Sequence, residues 1–83
     1  MSKENRKSTI SHKISGSAIK EARLDKGLSV AEASRRCGIN RVQYQGYEEG
    51  RVVTPKPKAL IQLAKGLETK PIELLAKESR EYY

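Results

Sequence analysis

Hydrophobic residues along this chain recur at helical spacing, and no stretch alternates as a half-buried strand would. Ile19, Ala22 and Leu24 fall on the apolar side of a segment from about Ser17 to Lys26, with Gly27 as its stop. Ser29 followed three residues later by Glu32 has the form of a capping box, so a second helix is expected from Ser29 to Gly38. Asn40 suits the cap of a third helix from Arg41 to about Glu49, closed by Gly50. Residues 51–56 read as a loop broken by proline. Pro57 fits the first position of a fourth helix whose Leu60, Leu63, Ala64 and Leu67 form one stripe, and Pro71 opens a fifth bearing Ile72, Leu74 and Leu75 and running towards Arg80. The expected architecture is a single all-α domain over residues 15–77, preceded by a flexible basic arm (1–14) and followed by a short tail (78–83).

The second and third segments, joined by Cys37-Gly38-Ile39-Asn40, have the form of a helix-turn-helix. A tight turn there requires a residue that tolerates positive φ, and Gly38 supplies it. A close helix crossing requires a small residue, and Ser34 beside Ala33 supplies that. Cys37, Ile39, Tyr44 and Tyr47 are spaced to lock the pair onto a core. Once the two tyrosines point inward, Arg41, Val42, Gln43, Gln45 and Gly46 are committed to the outer face. Arg can bind guanine bidentately, Gln can do the same to adenine, and Val can touch the thymine methyl. Gly46 costs roughly 1 kcal/mol of helix propensity relative to Ala. It either allows close approach to a DNA backbone or is simply a tolerated surface glycine.

Charge changes the picture through its placement. The chain has 83 residues and a net charge of +7. Residues 1–14 hold Lys3, Arg6, Lys7 and Lys13 against Glu4 alone. Residues 35–58 hold Arg35, Arg36, Arg41, Arg51, Lys56 and Lys58 against Glu48 and Glu49. The remaining two stretches are balanced. All of the excess therefore lies in the arm and around the third helix, which points to a polyanionic partner.

Five stretches in order, IKEARLDKGLS, AEASRRCGIN, YEEGR, PKALIQLAKGL and PIELL, make the chain from Gly16 to about Ala76 resemble the Cro/CI-type (Xre) helix-turn-helix family of phage and bacterial repressors. The resemblance implies a compact five-helix, lambda-repressor-like domain. It also implies that the third helix enters the major groove of double-stranded DNA, that operators are bound as a homodimer, and that the outcome is transcriptional regulation, most often repression. By the same resemblance, Arg41 and Val42 take base-reading positions, with Gln43 and Gln45 beside them. Ser29, Asn40, Arg51, Thr54 and Lys56 are assigned to phosphate, Ser29 also serving as a helix cap. Arg23 and Glu48 fall where the family often has a partly buried ion pair; two solvated charges are the alternative. The chain departs from the family pattern at Val30, where Gln is common, and at Tyr44, where an aliphatic residue is usual. It departs again at Glu49, near a phosphate position, and at Glu68, where glycine is favoured, which leaves open the turn between the fourth and fifth helices.

Lys3, Arg6, Lys7 and Lys13 form either a DNA-reaching arm or a solubilising tail, and Tyr82 and Tyr83 either interface material or a frayed end. Cys37 aligns with a core position and is expected to be a small buried hydrophobe. One Cys and one His give no zinc spacing, and no run reaches the ~18 apolar residues of a membrane span. No nucleophile-and-base arrangement or phosphate-binding Gly-rich loop is present. A cytoplasmic, nucleoid-associated protein with no cofactor, no metal, no enzymatic activity and no membrane partner is expected. Two competing functions share the fold: an antitoxin that binds a toxin and autoregulates its operon, and a protein-binding adaptor without DNA binding.

Overall fold

The computed structural model describes residues 13–76, and within them the chain is helical. Four α-helices follow one another: α1 (Gly16–Asp25), α2 (Val30–Cys37), α3 (Arg41–Glu49) and α4 (Pro57–Gly66), with a 3-10 turn at Pro71–Leu74. Their starts are local chemistry. Ser15 accepts from the Ala18 amide to cap α1. Ser29 and Glu32 form the reciprocal capping box of α2, whose hydrogen bonds draw the Glu32 carboxyl below its ordinary pKa. Asn40 accepts from the Gln43 amide at 2.9 Å to cap α3. Pro57 stands in the first turn of α4.

The helix ends share one device. After α2, Gly38 turns into the left-handed region at φ 68°, and the amides of Gly38 and Ile39 return to the carbonyls of Arg35 and Ser34. After α4 the same pair of bonds runs from Glu68 and Thr69 to Lys65 and Ala64, with Glu68 itself at φ 56°. The substitution of a family glycine by Glu68 thus leaves this exit intact, at the strain cost of a left-handed non-glycine residue.

The core is aliphatic with two tyrosines, and Tyr44, Ile19, Leu63, Leu67, Leu74 and Leu75 are its largest fully enclosed side chains. α1 packs on α3, α2 on both α3 and α4, and the 3-10 turn closes against α1 and α4. Gly16 lets α1 start directly against the end of α3, because a Cβ there would overlap the Glu48 and Tyr47 carbonyls. Cys37 is buried between α2 and α4, with its Sγ 3.8 Å from the Leu63 carbonyl, and burial pushes its thiol up to about 11.

Three sequence expectations need correction. The fifth helix is only the four-residue 3-10 turn. Leu75 is extended, at ψ 151°, and pairs antiparallel with Ile14. Ser15 N donates to Leu74 O at 2.8 Å and Ala76 N to Lys13 O at 2.7 Å, so these backbone groups are satisfied between two extended segments rather than along a helix. Secondly, Ile14 is not part of an arm. It is 4% exposed, and its amide donates to Val53 O at 2.7 Å, which pins the loop after α3. Thirdly, Leu24 is 56% exposed, and Arg23 takes the inward place on α1 beside Ile19. Lys3, Arg6, Lys7, Arg80 and the Tyr82-Tyr83 pair lie outside the described residues.

Candidate nucleic-acid interface

α3 is held from behind by a closed polar network. Arg23 Nε donates to Glu48 Oε2 at 2.7 Å, its Nη2 to Oε1 at 3.2 Å and its Nη1 to the Leu28 carbonyl at 3.0 Å. Tyr44 Oη donates to the same Glu48 Oε2 at 2.6 Å. The side chains of Arg23 and Glu48 are only 11% and 9% exposed, so the pair works in a low-dielectric setting where each partner depends on the other. The hydrogen bond to Glu48 raises the pKa of the guanidinium, and burial, reinforced by that carboxylate, pushes the Tyr44 phenol far above its ordinary range. The network ties α1, the turn at Leu28 and α3 into one unit, which fixes the rotation of α3 about its axis.

That rotation determines what α3 presents. Arg41 is exposed, and Val42 is 71% exposed, far more than an apolar side chain with a place in the core. Gln43 is exposed, but its Nε2 donates to Tyr47 Oη at 3.0 Å. Gln45 is half-buried, on the flank of the face rather than at its centre.

Gly46 is not on the open face. The chain reverses after Gly50, the amides of Arg51 and Val52 return to the Gly46 carbonyl at 2.9 and 3.3 Å, and their side chains cover the glycine. A Cβ at Gly46 would meet the Arg51 guanidinium and Val52 at 3.9 Å, ordinary contact. A side chain of one carbon would therefore neither clash nor stand between α3 and a ligand. Arg51 lies across this end of α3 and pairs with Glu49, Nη2 to Oε1 at 3.1 Å.

Around this face, Ser29 and Asn40 are exposed while capping α2 and α3, and Thr54 and Lys56 are exposed in the loop. Lys56 stands at the start of α4, where no side chain caps the helix. Lys13 is exposed beside the Ile14–Leu75 pairing. Val30, at the family's Gln position, is half-buried and packs on the core. Sequence reasoning missed the two hydrogen bonds that organise α3, Gln43 to Tyr47 and Tyr44 to Glu48. Both are spaced four residues apart, the interval at which helix side chains meet, so the signal was present.

Among the described residues no helix is long and apolar enough to cross a membrane, and no three His, Cys, Asp or Glu side chains gather as a metal site. A search of curated proteins returned no match. The helix-turn-helix family model matches residues 19–74, most of the chain. Among solved structures, the chain is similar to the restriction-modification controller protein C.AhdI from Aeromonas hydrophila, with 29% identity and a TM-score of 0.65 over 70% of this chain and 86% of that one. It is also similar to the wild-type restriction-modification controller protein C.Esp1396I, with 27% identity and a TM-score of 0.61 over 66% of this chain and 69% of that one. With α2, the Gly38 turn and α3 in the arrangement described above, the chain belongs to the Cro/CI-type (Xre) helix-turn-helix family.

Proposed function

We infer that this chain is a sequence-specific double-stranded DNA-binding transcriptional regulator, acting as a repressor, that inserts α3 into a major groove. The observation that carries the reading is the division of α3. One side is fixed by Tyr44, Tyr47 and the Arg23–Glu48 pair, and the other leaves Arg41 and Val42 exposed. A helix so anchored presents a cation and a small apolar group at its first turn, the part that reaches base edges when such a helix lies in a groove.

In this reading Arg41, Val42 and Gln43 read bases, with Gln45 contributing from the flank. Ser29, Asn40, Arg51, Thr54 and Lys56 contact phosphates. Lys3, Arg6, Lys7 and Lys13 add charge that strengthens binding without selecting sequence. Arg51 reaches phosphate by exchanging its exposed Glu49 partner, a link that costs little to give up. The protein acts as a dimer on paired half-sites and resides with the nucleoid. Both solved neighbours are controller proteins by name, which supports gene control as the outcome.

Selection from random duplex DNA, sequenced at two salt concentrations, tests this. The expected result is a bipartite site whose affinity falls steeply with salt. Arg41→Ala should relax one base pair by about 1–3 kcal/mol, whereas Arg51→Ala should weaken all sites alike and reduce the salt slope by about one. Absence of any selected sequence, or an Arg41→Ala variant with unchanged preference, overturns the reading.

A further inference from the structure

We propose that the Tyr47 hydroxyl positions Gln43 for base reading, and that this pair makes Gln43 prefer adenine over guanine at the base it faces. The proposal rests on the reading of α3 as the groove-entering helix. Gln43 is the one exposed amide of α3, and it is held at both ends. Its backbone amide is taken by Asn40 Oδ1 at 2.9 Å and its side-chain Nε2 by Tyr47 Oη at 3.0 Å. Tyr47 is itself 2% exposed, with its ring in the core, so the hydroxyl is a fixed point at the edge of α3 rather than a second mobile group.

A glutamine free to turn can offer its NH2 to the paired acceptors O6 and N7 of guanine, or its oxygen and one N–H to N6 and N7 of adenine. With one Nε2 proton committed to Tyr47, one N–H and the carbonyl oxygen remain. That pair matches adenine, which presents a donor beside an acceptor. It mismatches guanine, where the carbonyl oxygen would face the acceptor O6. Because the amide is already ordered, little side-chain freedom is lost when a base is met. Tyr47 touches no base in this scheme and acts through Gln43, as a positioning residue.

The test uses the full chain in four forms: wild type, Tyr47→Phe, Gln43→Ala and the double variant, each taken through selection from random DNA and a thermal melt. Tyr47→Phe keeps the buried ring and removes one hydroxyl. The adenine-to-guanine ratio at a single base pair should fall about three- to tenfold, the range of one hydrogen bond, with the preference set by Arg41 unchanged. On the Gln43→Ala background Tyr47→Phe should add nothing. Unchanged ratios, equal relaxation at every position, or the same effect without Gln43 would each overturn the proposal. Side-chain 15N relaxation of Gln43 in the DNA-free protein gives a readout that does not depend on any variant folding. Restriction close to that of the backbone supports the tether, and the freedom of a solvated amide refutes it. If wild type selects a site but Gln43→Ala relaxes no position, the placing of Gln43 against DNA fails. If wild type selects no site, the whole DNA reading fails.

Discussion

Arg23→Met is the sharpest probe of how α3 is held. Methionine replaces the aliphatic stem but removes three donors at once, two to Glu48 and one to the Leu28 carbonyl. Glu48, 9% exposed, keeps Tyr44 as a donor and loses its counter-charge. Stranding one member of a buried pair costs about 3–5 kcal/mol, and the remaining Tyr44 bond places this case near the lower end. A domain of this length has only ~4–12 kcal/mol in total, so the midpoint of a urea melt followed by far-UV circular dichroism should drop by about a quarter or more at unchanged slope. The companion variant Arg23→Met/Glu48→Met/Tyr44→Phe removes cation, anion and hydroxyl together, leaving only the Leu28 carbonyl without its partner. It should be more stable than Arg23→Met alone, because a buried pair taken out whole is close to neutral. A single variant within about 0.5 kcal/mol of wild type would mean that water screens the pair. A triple variant less stable than the single would mean that the network contributes net stability. Either result refutes the reasoning.

Glu68→Gly should raise the thermal midpoint by about 4 °C or more. It relieves a left-handed non-glycine residue at φ 56° and gives up only exposed links to Lys26 and Arg36 at 3.5 and 3.9 Å. A lower midpoint would show that those links outweigh the strain. Two helical glycines should respond in opposite directions. Gly46→Ala has room for its methyl and should gain up to about 1 kcal/mol, whereas Gly66→Ala would put a Cβ 2.6 Å from the Cys37 Cα and lose about 1–3 kcal/mol in the same urea melts. Cys37 should resist a thiol reagent at about pH 8 until the protein is unfolded. Its thiol titrates at about 11 in the fold against 9.0 ordinarily, so the unfolded chain releases its proton first as pH rises. The stability from keeping it neutral is present below pH 9.0 and lost by about 11, and Cys37→Ala should flatten that decline.

The parts of the fold that could be read from sequence are those fixed within four or five residues. The Ser29–Glu32 box, the Asn40 cap, Pro57 and the Gly38 exit are all of this kind, and each is satisfied by neighbours along the chain. What could not be read depends on partners distant in sequence. Leu24 is apolar and Arg23 charged, so composition alone sends the wrong one inward. Only Glu48, twenty-five positions on, makes an arginine acceptable there. The segment after Pro71 carries helical spacing, yet it stops as a 3-10 turn at Leu74, Leu75 is extended, and residues 74–76 bond to residues 13–15 with both leucines fully buried, a rearrangement with no local mark. At the candidate interface, inward tyrosines do imply outward Arg41 and Val42. The covering of Gly46 by Arg51 and Val52 follows from the reversal at Gly50 and was invisible to helix periodicity.

These internal bonds narrow what α3 has left to offer a ligand. Tyr44 and Glu48 are satisfied by each other and by Arg23, Asn40 is engaged with the Gln43 amide, and Glu49 faces Arg51. Gln43 retains an oxygen and one N–H. At nine residues α3 is ~13 Å long, about the width of a major groove, so it can enter only by one end or lie across it. Its C-terminal end is covered by the Arg51-Val52 reversal, which leaves the first turn as the end that can go deep. Arg41 and Val42 occupy that turn, with Gln43 one residue behind, while Arg51 lies at the covered end beside Glu49. On this geometry specificity should reside in about three adjacent base pairs per half-site, and the rest of the affinity should come from charge.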